Sequence, residues 1–372
     1  MKRLVLALLL IGCGDPCEKP GRICTVVGRG DAGLAPDGTC ADESPLYWPS
    51  DLTIGPDEHP WILDWNNHRM ITVDLDAPKK CRPIHVITGN GLVGDGPPGT
   101  ASTAYWNHPT NIAFAEDGTY VFAAWHNSRV VGVDPNSDET WYVAGTGARD
   151  FGGDGGPAAE AMFDLPSGVA YGPDGRLYVA DQANQRIRAI DADGIITTVV
   201  GNGEAGGGGD GGPALEASLQ SEGSQDAAPA GRIVFHENTL YIADTSNHRI
   251  RAVDTDTWMI DTIAGDGDVT PTGDDVDALE GSLHFPRDVA VAENGDVYIA
   301  DSEDHCVRRV RDGQMTIVAG VCGEKGFDGD RGPGTEALLF RPYGIDVAPD
   351  GSLWIADTFN HRIRRVSPGE AE

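Results

Sequence analysis

Positive charge is scarce in this 372-residue chain: 27 lysines and arginines stand against 58 aspartates and glutamates, a formal net charge of −31. Such a field repels nucleic acid and anionic lipid, which argues against RNA or DNA as a partner, although a need for solubility alone would also account for it. Long apolar runs are missing too. The run at residues 4–11 is too short to span a bilayer, and no later stretch keeps a helical period. GxSxG, HExxH and Walker patterns are absent. A GxGxxG stretch from Gly201 to Gly206 is followed by Gly, Asp and Pro rather than by a helix start, so it does not read as a phosphate loop. No paired CxxC spacing occurs, which removes the usual zinc reading of the cysteines.

What the chain has in abundance is glycine, 50 residues of it, and a repeat. The pattern of residues 165–203, LPSGVAYGPDGRLYVADQANQRIRAIDADGIITTVVGNG, recurs in five segments, and a sixth stops at Ser367 where its "ITTVVGNG" is due. The missing piece stands at the other end, as ICTVVGRG at residues 23–30. A repeat completed from the opposite terminus closes a ring, because pairing the two ends removes the free sheet edges. Aligned on the Asp that closes each LYVAD-like run, the units fall at Asp64, Ala124, Asp181, Asp244, Asp301 and Asp357, with spacings of 60, 57, 63, 57 and 56 residues. Each unit has room for four strands and a long loop. Short β-branched runs separated by turns such as Pro173-Asp174-Gly175 fit that division. The expected fold is an all-β six-bladed β-propeller over residues 22–368, with 22–30 as the outer strand of the last blade and 369–372 as a tail.

In such a ring the loop between second and third strands shares a face with the long loops between blades, and function is sought there. The repeated Asp is expected to cap its turn and to pair with the Arg five residues on, at Arg69, Arg129, Arg186, Arg249 and Arg362. No cofactor is expected, and calcium is the ion that the Gly/Asp loops would suit. The Gly/Asp loops offer it carboxylates at Asp274-Asp275 and at Asp328 with Asp330, with ordinary Asp turns as the competing role.

The triplets Asn67-His68-Arg69, Asn247-His248-Arg249 and Asn360-His361-Arg362 carry a family resemblance. The units resemble NHL repeats over roughly residues 22–367. The resemblance implies the propeller fold and leaves function open between protein- or RNA-binding platforms, sensor domains and, in distant relatives, metal-dependent lyases or lactonases. His68, His248, His305 and His361 sit a blade apart, so they cannot converge on one ion.

Residues 1–12 resemble a bacterial lipoprotein signal, with Lys2 and Arg3 before the apolar run and Cys13 as the lipidated residue; an ordinary secretory signal is the alternative. Residues 13–21 then form a short tether, and the protein is expected to be exported, lipid-anchored in a bacterial cell envelope and monomeric, touching the membrane through its lipid only. Setting Cys13 aside leaves six cysteines. Cys306 replaces the Arg of its repeat, and its blade alone carries Cys322 after the fourth strand, so these two are expected to form a disulfide. The pairing of Cys17, Cys24, Cys40 and Cys81 stays open.

Breaks in the repeat nominate the site. Trp65 and Trp125 follow the Asp position where other units have Gln or small polar residues, and His126 follows Trp125. They are expected to form a partner-binding patch, joined from the channel mouth by Asn111, Arg287 and Tyr343, with packing beneath the loops as the competing role. Asp51, Asn111 and Asp288, aligned with Gly168, Gly231 and Gly344, are the ligands an enzyme would use at the channel mouth, although Arg287 beside them disfavours a cation. The resulting reading is a non-catalytic propeller binding a protein, peptide or glycan on its loop face; the alternative is a metal-assisted lyase or lactonase.

Overall fold

The computed structural model describes residues 15–96, 99–224 and 227–369. Cys13 and the expected signal segment, residues 1–12, lie outside the described residues. Six antiparallel sheets form the six blades of a propeller. Blade 1 consists of Pro49–Ile54, Pro60–Asp64, Arg69–Val73 and Ile84–Thr88, numbered from the channel outward. Blades 2 to 5 start with inner strands Pro109–Phe114, Pro166–Tyr171, Ile233–His236 and Pro286–Val291. In blades 4 and 5 the outer strand gains a short fifth neighbour, Gly212–Pro213 and Val276–Asp277 respectively.

Blade 6 closes the ring. Its strands Pro342–Val347, Leu353–Asp357 and Arg362–Val366 are completed by Ile23–Val27, which pairs antiparallel with the third strand, Ile23 opposite Val366. Ile23 and Val27 are fully buried, each in a different interblade core. The closing strand therefore contributes to both neighbours of its blade. The segment before it is held as well: Cys17 is bonded to Cys24, and Gly21 donates its N–H to Ser367 O.

The repeat is legible in the hydrogen bonds. In five blades the Asp ending the second strand accepts an N–H from 17 or 24 residues upstream, as Asp181 does from Asp164 and Asp244 from Gln220, and the Asn three residues on reaches the same Asp in four of them. The ion pair differs from expectation. Only in blade 1 does the Asp meet the Arg five residues on, Asp64 with Arg69 at 2.9 Å. In blades 3 to 6 it meets an Arg seven residues on: Arg188, Arg251, Arg308 and Arg364, all buried. A strand's side chains alternate sides, so five and seven residues on share a face, and the seventh lies deeper beneath the loops. Three of these arginines also hold the Asp of the adjacent Gly/Asp loop, Asp154, Asp210 and Asp330.

The triplet histidines link one blade to the next. Nδ1 of His68, His248, His305 and His361 accepts the backbone N–H of His108, Phe285, Arg341 and Trp48, each in the following blade. Gln185 takes this role in blade 3, accepting from Ser221 N at 2.8 Å. Burial lowers the pKa of all four histidines. One glycine position is constrained by this turn in every blade: Gly201, with φ +88°, lies where a Cβ would stand 2.3 Å from Gln185 O. The disulfides are Cys17–Cys24, Cys40–Cys81 and Cys306–Cys322. Three such bonds fit an exported protein, and no helix among the described residues is long and apolar enough to cross a membrane.

Candidate functional site: an aromatic pocket above a closed channel

The residue before each inner-strand proline adopts a left-handed conformation, with φ between 49° and 60° at Trp48, His108, Leu165, Phe285 and Arg341. Bulky residues rarely do so, and of these five Trp48 and Arg341 line a pocket on the loop face. Trp48 and Arg341 there meet the turns of blades 1 and 6. Together with Trp65, Arg287, Tyr343 and Phe359 they line a pocket of about 330 Å³. Trp48 lies 5.1 Å from Phe359 and 6.5 Å from Trp65 between ring centroids, and Tyr343 packs edge-on to Phe359 at 5.8 Å. Arg287 lies over the Tyr343 ring at 4.6 Å, and Arg341 over Phe359 at 5.1 Å. Arg341 also pairs with Glu303 at 2.8 Å. Burial raises the Tyr343 pKa.

Three of the residues nominated from sequence, Trp65, Arg287 and Tyr343, line this pocket. Trp125 does not, because it is fully buried against Leu165 and Ala227 and donates its indole N–H to Gln182 at 3.2 Å. Its neighbour His126 stacks on it and contacts His108, with the two Nδ1 atoms 2.9 Å apart. Burial pushes His108 down to about 3 and His126 to about 4, with neighbouring charged groups adding to the effect. Both imidazoles are therefore neutral at ordinary pH. Trp48, Phe359, Arg341 and Glu303 were missed. Comparing the pre-proline residue from blade to blade would have found Trp48 and Arg341, and the centre of the Thr358-Phe359-Asn360 turn would have found Phe359.

Below the pocket the channel is closed. Asp51, Asn111 and Asp288 do come together, but the blade 4 residue at their level is Arg232, not Gly231. Ile233 pairs with Ile242 as Val169 pairs with Val179, which places Arg232 at the level of Gly168. The expected alignment was one residue off because blade 4 carries an extra residue after its proline. Arg232 reaches Asp51 at 3.4 Å and donates to Ser167 O. Asn111 donates to Asp51 at 2.8 Å and accepts Val169 N, while Asp288 accepts Val289 N and Ile345 N. Asp346, one level further along, bridges to Ile54 N at 2.7 Å. These groups stitch the inner strands together. Burial raises the pKa of Asp51 against the opposing pull of Arg232, raises Asp288 well above its ordinary range with Asp51 adding to the effect, and pushes Asp346 up to about 6.

Comparison with known proteins agrees with the repeat. The Teneurin NHL domain model matches residues 141–207, and the NHL repeat model matches residues 283–310. Mouse Teneurin-1 is 27% identical over 62% of this chain, and chicken Teneurin-1 is 26% identical over 95% of it. The chain spans only 9% and 14% of those proteins' lengths. Among solved structures, an auxiliary nutrient binding protein from Bacteroides thetaiotaomicron superposes with a TM-score of 0.66 at 17% identity, covering 93% of this chain and 76% of that one. A gluconolactonase from Xanthomonas campestris gives 0.54 at 13% identity, covering 94% and 98%. A streptogramin B lyase gives 0.52 at 12%, covering 89% and 96%. The fold is a six-bladed β-propeller, and two of its stretches match models of NHL-repeat sequence.

Proposed function

We propose that this propeller is an exported binding protein that takes its ligand, a glycan or a segment of peptide or protein, in the loop-face pocket and performs no chemistry on it. The observation that carries this reading is the pairing of an aromatic-walled recess with a closed channel beneath it. Planar side chains supply contact area at low entropic cost. A lyase or lactonase site would require Asp51, Asn111 and Asp288 to turn toward an ion, whereas their oxygens accept N–H groups of the inner strands and face Arg232. The likeness to a protein described as binding nutrients supports the same direction. Attachment through a lipid on Cys13 belongs to this reading, and Cys13→Ala should release the protein from the membrane fraction; retention there would remove the anchor.

The test is calorimetric titration with defined oligosaccharides and peptides, comparing the wild type with Trp48→Ala and Phe359→Ala. Each variant should keep its melting temperature within a few degrees and lose affinity at least about tenfold, equivalent to about 1.4 kcal/mol. A ligand whose affinity survives both changes binds elsewhere and sinks the proposal.

A further inference from the structure

Seven arginines among the described residues are buried, and their partners divide them. Arg69, Arg188, Arg232, Arg251, Arg308 and Arg364 each stand within 4.0 Å of an Asp carboxylate. Arg287 has no such carboxylate among the described residues. It is 5% exposed, donates one hydrogen bond to Pro229 O at 3.2 Å, rests on the Tyr343 ring, and leaves Nε buried without a partner. A guanidinium stays protonated at any ordinary pH, so burying it without a counter-charge is costly. Six equivalents in this fold avoid that cost and the seventh, in the wall of the open pocket, does not.

Resting on the proposal that the pocket binds a ligand, we infer that the ligand carries a carboxylate and that Arg287 receives it. The described acids that line the pocket do not fill the role. Glu303 is engaged by Arg341 at 2.8 Å, and Glu222 is exposed on the loop at the rim. A guanidinium recognises a carboxylate through paired N–H donors, and neither Nε nor Nη2 of Arg287 makes a hydrogen bond among the described residues. Trp48 and Phe359 flank the same space and suit a flat or apolar body attached to that carboxylate. The pocket's volume, about 330 Å³, fits one such unit, whether a uronic acid residue of a glycan or the C-terminal residue of a peptide. The two sources share the chemistry. The surrounding negative field acts as a filter, because a multiply anionic ligand is repelled at long range and a single carboxylate is rewarded only on docking.

The experiment pairs each acid with a neutral counterpart: a glucuronate-terminated oligosaccharide against its glucose-terminated equivalent, and N-acetyl-phenylalanine with a free carboxylate against its amide. The acid of at least one pair should bind at least tenfold more tightly than its neutral partner, and which pair does so identifies the source. Arg287→Met should abolish that preference, and Arg287→Lys should retain part of it, with melting curves confirming that both variants fold. Equal affinity within both pairs, or a preference that persists in a folded Arg287→Met, overturns the inference. If neutral ligands bind without acid preference and lose affinity on Trp48→Ala, the inference fails while the binding reading stands. If neither pair binds, both fail.

Discussion

Arg232 of blade 4 and Asp51 of blade 1 form an ion pair across the centre of the ring, 3.4 Å apart and both all but inaccessible to solvent. The one cation faces two acids, since Asp288 lies within its field as well. Replacing Arg232→Met should therefore leave two carboxylates buried without compensation and lower stability by about 3–5 kcal/mol at neutral pH. Arg232 lowers both aspartates' pKa values, so its loss raises them further. An acid whose folded pKa lies above its unfolded value weakens the fold as pH rises between the two, so the variant's deficit should shrink toward pH 4. Urea denaturation at pH 4.5 and 7.5 checks this; a variant of wild-type stability, or a deficit independent of pH, would count against the pair.

Blade 2 has Ala124 where the other five have Asp, and its position seven residues on is Val131, not Arg. Arg129 is directed to Asp95, and Asn127 accepts the Asn107 N–H that the Asp would have taken. Restoring the repeat by Ala124→Asp should therefore destabilise, by about 3 kcal/mol, because the new carboxylate is buried unpaired. Adding Val131→Arg should recover at least half of that loss. Thermal denaturation of single and double variants decides; a stabilising single change would refute the account.

His361 Nδ1 accepts the Trp48 N–H that joins blade 6 to blade 1, and burial lowers its pKa. A histidine depressed in the fold is protonated first in the unfolded chain. Its contribution is complete above the ordinary value of about 6.5 and is lost as pH falls from there through the folded pKa. Glutamine performs the same linkage in blade 3, so His361→Gln should keep neutral-pH stability within about 1 kcal/mol and lose less between pH 7 and pH 5 than the wild type does. Equal slopes for the two proteins would show that the histidine is not the titrating group.

Cys306 and Cys322 are bonded, with Cα atoms 5.0 Å apart and a sequence separation of 16. Loop-closure entropy for a ring of that size predicts that Cys306→Ala with Cys322→Ala costs about 3 kcal/mol. Chemical denaturation measures it, and an unchanged midpoint would mean that the hairpin is already ordered without the bond.

The ring, its closing strand and the Cys306–Cys322 bond were legible because each is a departure visible within one sequence: a unit cut short, or a repeated Arg replaced by Cys. The arginine partner of the Asp was misread because two arginines at five and seven residues point to the same side, and only depth separates them. Arg232 was hidden by a single extra residue after Pro229 in a blade whose pattern has drifted, and only the strand register reveals its level. Trp125 broke the pattern as conspicuously as Trp65. Sequence could not tell them apart, because both join one buried cluster with Leu165 and Ala227, and only Trp65 also reaches the pocket. The rest of the pocket wall lay outside the positions that broke the repeat most visibly: Trp48 and Arg341 precede the inner-strand prolines in a left-handed conformation, and Phe359 follows Thr358 in its turn.

The third strand of blade 6 runs from the loop face at Arg362 to the opposite face at Val366, and Ile23 lies beside Val366. The chain therefore enters and leaves the ring at neighbouring points on the side away from the pocket. A handle fixed at either end, whether a lipid, a linker or a second domain, would hold the propeller like a cup by its base, with the aromatic mouth turned toward whatever arrives from the far side.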